Sequence, residues 1–131
     1  MALNDTTIDL RHLGRVEYVA AQLLATREGP VLVDVGPGST VPTLEAGLNP
    51  LGVRLEDLRA VLLSHIHFDH AGATGLLVER NPRLEVYVHV RGAPHLIEPA
   101  KLIASATRIY GDDMDRLWGK LVPVPAANVH P

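Results

Sequence analysis

The stretch Ser64-His65-Ile66-His67-Phe68-Asp69-His70-Ala71-Gly72 gathers three histidines and an aspartate within six residues. Imidazole nitrogens and a carboxylate in one cluster form a donor set that suits zinc, with iron or manganese as alternatives. Side chains two apart on an extended segment point the same way, so His65 and His67 can close on one cation. Asp69 and His70 fall where the chain turns, and can be directed to a second, neighbouring position. Metal held in this way lowers the pKa of a bound water and polarises a carbonyl or phosphoryl oxygen, which is the chemistry of hydrolysis. The motif gives each of two metals only two side-chain ligands, whereas catalytic zinc takes three plus water. The centre is therefore expected to need further ligands.

The elements that position these residues can be read on either side of them. The apolar run Ala60-Val61-Leu62-Leu63 predicts a short buried strand ending at Ser64, and a helical pattern from about Ala71 to Arg80 follows, closed by Asn81-Pro82. Upstream, Thr7–Leu13 and Val16–Thr26 read as strands, and Arg27–Pro30 as a turn. Val31–Val35 is apolar on both faces apart from Asp34 and reads as a central strand. Gly36-Pro37-Gly38 breaks it. Ser39 or Thr40 can cap a helix running to about Leu48, with Pro42 in its first turn. Residues 54–58 suggest a single helical turn. Leu84–Val90 alternates, with Leu84, Val86, Val88 and Val90 on one side. Pro99 precedes a helical stretch split at Gly111. The proline-spaced segment Val122–Pro131 reads as an extended connection towards another strand. Strands alternating with helices predict an α/β layered domain.

H-x-H-x-D-H after a buried strand, followed by a glycine and a helix, resembles the metallo-β-lactamase superfamily of metal-dependent hydrolases. Val31-Leu32-Val33-Asp34-Val35-Gly36-Pro37-Gly38 is similar to the family's upstream strand with its Asp and Gly turn. Tyr87-Val88-His89 and Arg91-Gly92-Ala93-Pro94-His95 are similar to the segment after its next strand. The resemblance implies an α/β chain forming the N-terminal half of an αββα sandwich, a mixed sheet with flanking helices. Residues 1–131 would then be one incomplete domain whose other ligands, a His, a bridging Asp and a last His, belong to a C-terminal half. It implies His65 and His67 at the first metal and Asp69 and His70 at the second, with two zinc ions in the complete site. Asp69 would also handle the reaction's proton.

Beyond the motif, Asp34 reads either as a carboxylate orienting a ligating His through its ring N–H or as a cap on the glycine turn. His89 shares a side with Tyr87 and can approach the same cleft, as a supporting residue or a hydrogen-bonded strand end. His95 reads as structural, and His130 as a residue of an extended tail able to fold back towards the metal. His12 has no assigned role. Asp112, Asp113 and Asp115 suit a helix N-terminus. The face carrying Tyr110, Leu117 and Trp118 is expected in the core. Ser64 has no His–Asp arrangement apart from the metal motif, so a serine nucleophile is not supported.

Composition narrows the function classes. Hydrophobic residues at 47% against 21% charged give a globular chain with a real core. A formal charge of -3 argues against nucleic acid as a partner. The absence of cysteine excludes thiolate ligands and disulfides. No signal-peptide pattern and no membrane-length apolar run are visible, so a cytoplasmic location is expected. Three functions compete: a zinc hydrolase of an ester, thioester, lactone or amide, acting through a metal-bound hydroxide on a small-molecule substrate; a mononuclear iron enzyme resembling sulfur dioxygenases; and an inactive half-domain that pairs with a second copy or with the missing half.

Overall fold

The structure is a computed structural model, and it describes residues 5–15 and 19–131. Six strands form one sheet in the order of the chain: β1 (Asp5–Asp9), β2 (Ala20–Thr26), β3 (Gly29–Val33), β4 (Ala60–Leu62), β5 (Glu85–Tyr87) and β6 (Val129–His130). The first three run antiparallel, while β3, β4, β5 and β6 are mutually parallel. Parallel neighbours need crossovers. Those between β3 and β4 and between β4 and β5 carry α1 (Val41–Leu48), then α2 (Phe68–Ala71) and α3 (Thr74–Arg80). The last carries α4 (Ala93–Ile97), α5 (Ala100–Tyr110) and α6 (Met114–Trp118). The sheet is thus mixed, with flanking helices, as the α/β reading expected.

One face of the sheet is the core. Leu23, Leu32, Val61, Val86 and Val129 lie in register across five strands, all buried. Leu44, Leu48, Leu77 and Leu96 from the helices are buried in the same cluster. Full burial of one such leucine contributes about 1.5–3 kcal/mol. On the opposite face Val33, Leu62, Tyr87 and His130 form a neighbouring row. There Leu62 is 38% and Tyr87 41% exposed, so this row has no comparable cover.

Several boundaries differ from those read in the sequence. The first strand stops at Asp9, whose carboxylate accepts the Arg11 N–H, and the chain then turns through left-handed Arg11 and Leu13. The expected start of the second strand at Val16 lies outside the described residues, as does the N-terminal segment read for a signal peptide. β3 begins at Gly29 and ends at Val33, because Asp34 adopts φ 56°. The fifth strand ends at Tyr87, and Val90 is 62% exposed, because the His89 carbonyl accepts the Gly92 and Ala93 N–H groups and starts α4. α4 itself was not anticipated. The helical pattern after the metal motif begins early, at Phe68, and breaks into α2 and α3 around Gly72 and Ala73. The proline-spaced tail reaches a strand as expected. A Cβ on Gly75 would stand 1.9 Å from the Val122 carbonyl oxygen, so only glycine lets the tail lie against α3.

Candidate metal centre

The parallel pair β3 and β4 brings Asp34 beside the exit of β4. The Asp34 N–H continues the ladder by donating to the Leu62 carbonyl at 2.8 Å. Its left-handed φ, tolerated better by Asp than by most residues, then turns the backbone out of the sheet. The carboxylate reaches across to the neighbouring chain. Oδ1 accepts the Ser64 N–H at 2.8 Å, and Oδ2 accepts the Ser64 hydroxyl at 2.8 Å. Nδ1 of His70 lies 2.9 Å from the same Oδ2. His70 is also held through its backbone, since its carbonyl accepts N–H groups from Val35 and Gly36 at 2.8 and 3.2 Å. The 34–36 turn therefore clasps both ends of the motif.

These bonds decide the tautomers. His70 donates Nδ1–H to Asp34, which leaves the Nε2 lone pair free. Ser64 spends its single hydroxyl proton on Asp34, so it can only accept from His65, whose Nδ1 is 3.0 Å from Oγ. His65 then also presents an unprotonated Nε2. The same bond directs the Ser64 hydroxyl proton to the Asp34 carboxylate.

Donor atoms of His65, Asp69 and His70 all lie within 4.8 Å of one another. The His65 and His70 ring centroids are 4.0 Å apart, and His70 Nε2 is 3.4 Å from an Asp69 carboxylate oxygen. His67 joins through its ring, edge-on to His65 at 4.8 Å, and falls outside the donor group. This differs from the pairing of His65 with His67 that an extended segment implied. Bends at Ser64 and His67 follow the end of β4, so strict alternation does not continue into the motif. The donor set itself fits zinc: free imidazole nitrogens and a carboxylate, with outer hydrogen bonds fixing the ring orientations.

The remaining histidines are dispersed. His89 lines a second groove, of about 430 Å³, together with Ser64, His65, Arg91 and His95. Its Nδ1 accepts the Arg91 N–H at 3.1 Å, so one ring nitrogen is already engaged. His130 stacks on Tyr87 at 5.0 Å on the partly exposed sheet face. His12 is buried, touches the Leu117 carbonyl through Nε2 and stacks on Trp118 at 5.1 Å, a structural role the sequence did not suggest.

Tyr110 and Trp118 were expected in the core. They are instead half-buried, and with His67, Phe68 and Asp69 they border an open groove of about 420 Å³ against α5. The helix breaks at Gly111, φ 53°, and α6 sets the Trp118 ring edge-on to Tyr110 at 5.5 Å. Sequence reasoning missed this groove and the bridging role of Ser64. The small polar residue directly before the motif was the only available sign of the second.

A mixed α/β sheet carries a histidine-rich donor cluster, a candidate metal site, at the carboxyl ends of its parallel strands, and this defines a protein of the layered α/β class. More narrowly, the chain belongs to the metallo-beta-lactamase superfamily, whose family model matches residues 14–128. The transcription termination factor FttA of Cenarchaeum symbiosum is 37% identical to it over 61% of this chain and 13% of its own length. An N-acyl homoserine lactonase of a Bacillus species is 33% identical over 43% of this chain and 32% of its own. Among solved structures, the subclass B3 metallo-beta-lactamase MEM-A1 from a soil metagenome library is similar with TM-score 0.65 and 29% identity. That match covers 96% of this chain and 42% of that one. The chain thus spans under half the length of each of these relatives.

Proposed function

We propose that this chain supplies part of the centre of a metal-dependent hydrolase, with two zinc ions in the complete site, acting on an ester, thioester, lactone or amide of a small-molecule substrate. The observation that carries this reading is the Asp34 carboxylate, which fixes His70 directly and His65 through Ser64, each with Nε2 free. His65, His67, Asp69 and His70 are the residues that would hold the metal. Bound zinc would supply a water of near-neutral pKa and a Lewis acid for the scissile carbonyl. Asp34 and Ser64 fix the orientation of the two imidazole rings. Asp69, half-exposed at the groove, is the carboxylate that would accept a proton and return it to the leaving group. The likeness to a lactonase and to a β-lactamase supports hydrolysis of a cyclic acyl compound.

The same reading assigns a cover to the second sheet face. Leu62 and Tyr87 form an apolar strip that the other half of a longer chain, or failing that a second copy, would bury. The test is hydrolysis of an N-acyl homoserine lactone, a β-lactam and a simple ester by the zinc-loaded chain, with the iron-loaded chain in parallel. Turnover that needs zinc and disappears in His70→Ala supports the assignment. Zinc-dependent rates equal in His70→Ala contradict it.

A further inference from the structure

His12 is buried between two exposed residues in left-handed conformations, Arg11 at φ 48° and Leu13 at φ 55°. Residues with a Cβ seldom adopt that region, and they keep it only where the surrounding structure holds them. Here the hold is on the histidine. Its Nε2 meets the Leu117 carbonyl, which lies in the last turn of α6 and has no N–H partner within the helix. The same carbonyl takes the Ser39 hydroxyl at 3.0 Å. A Cβ on Gly38 would stand 2.8 Å from the Lys120 carbonyl oxygen, so the backbone there lies directly against the end of α6.

Trp118 is held in another way. Its indole Nε1–H is buried and has no acceptor among the described residues, so no hydrogen bond fixes the ring. Ring contacts set its place instead. His12 stacks on it at 5.1 Å with 12° between the planes, and Phe68 lies at 5.8 Å. Phe68 opens α2, and Asp69 and His70 are the next two residues.

We infer that His12 is a positioning residue for the histidine cluster: its imidazole braces Trp118, and Trp118 braces Phe68 and the turn that carries Asp69 and His70. The consequence for bound zinc rests on the hydrolase reading above; the brace does not. If His12 is lost, the Leu117 carbonyl keeps the Ser39 hydroxyl, but the stacked face of Trp118 loses its cover. The ring, more than the N–H, is what the brace requires.

His12→Ala, His12→Gln and His12→Phe separate these contributions. Phenylalanine keeps a stacked ring, glutamine keeps an N–H donor and alanine keeps neither. Trp118 is the single tryptophan of the sequence, so its emission reads the brace without metal. In His12→Ala and His12→Gln the emission should move to longer wavelength and be quenched more readily by acrylamide, while His12→Phe stays near the parent chain. Zinc affinity, measured by chelator competition, should fall about tenfold in the first two, the low end of the range for groups that support metal ligands. In His12→Phe it should stay within about twofold. The imidazole 15N shifts of His65 and His70 in the metal-free chain should follow the same order. Unmoved shifts in His12→Ala, with zinc affinity unchanged or zinc not bound at all, would overturn the inference whatever Trp118 does. Equal losses in all three variants would overturn it too. Should His12→Ala fail to fold, the comparison of His12→Gln with His12→Phe decides by the same measurements. If the parent chain binds no zinc but the imidazole shifts move in the stated order, the brace stands and the hydrolase reading fails.

Discussion

Oδ2 of Asp34 lies 2.9 Å from Nδ1 of His70, joining residues 36 apart in the sequence across the carboxyl ends of two parallel strands. The same oxygen takes the Ser64 hydroxyl, and Ser64 in turn meets His65. One carboxylate therefore sets two imidazoles.

Asp34→Asn tests that arrangement. Asparagine keeps the size and the tolerance of a left-handed φ, but its amide donates where the carboxylate accepted. Nδ1 of His70 would become the acceptor and Nε2 would carry the proton. Zinc affinity, read by competition with a chromophoric chelator, should fall about 10- to 100-fold with the fold retained. Ser64→Ala should cost less. The two substitutions together should couple by about 0.5–3 kcal/mol, because they act on one network. Affinities within twofold of the parent chain would contradict the role of Asp34.

Gly75→Ala should destabilise the chain by about 1–3 kcal/mol, since the added methyl meets the Val122 carbonyl and pushes the tail off α3. Urea unfolding followed by circular dichroism measures this. An unchanged midpoint would mean that the tail does not pack there.

Leu62→Lys places a charge on the partly exposed sheet face without touching the core. If the apolar strip drives pairing of the free chain, sedimentation should show concentration-dependent association that the lysine abolishes. A parent chain that stays monomeric at all concentrations would count against pairing with a second copy.

Asp57 gives a pH signature remote from the histidine cluster. The Arg54 guanidinium, and then the Arg54 N–H, hold its carboxyl below the ordinary value. A depressed carboxyl pKa contributes stability that is present above the unfolded value, about 3.9, and is lost as the pH falls through the folded one. The contribution is small at so exposed a site. Asp57→Asn should narrow the drop in urea midpoint between pH 6 and pH 3. An identical drop would show that the pair contributes nothing.

Much of this arrangement was legible in the sequence because it rests on local pattern. The apolar runs of β3 and β4, the helix Val41–Leu48 and the donor residues of the motif all announce themselves within a few positions. What stayed hidden depends on tertiary geometry. Asp34 could be read as orienting residue or turn cap, and only the parallel register of β3 with β4 shows which groups it meets. His12 and Trp118 stack across more than a hundred residues, which no periodicity encodes. Tyr110 and Trp118 share apolar spacing with core residues, yet the break at Gly111 leaves them at a groove.

The most direct test of the metal centre is the zinc content of the purified chain after zinc loading and gel filtration, measured beside His65→Ala and His70→Ala. At least one zinc per parent chain, with most of it lost in both variants, is the result the account predicts. Zinc absent from the parent chain, or retained equally by all three proteins, would contradict it.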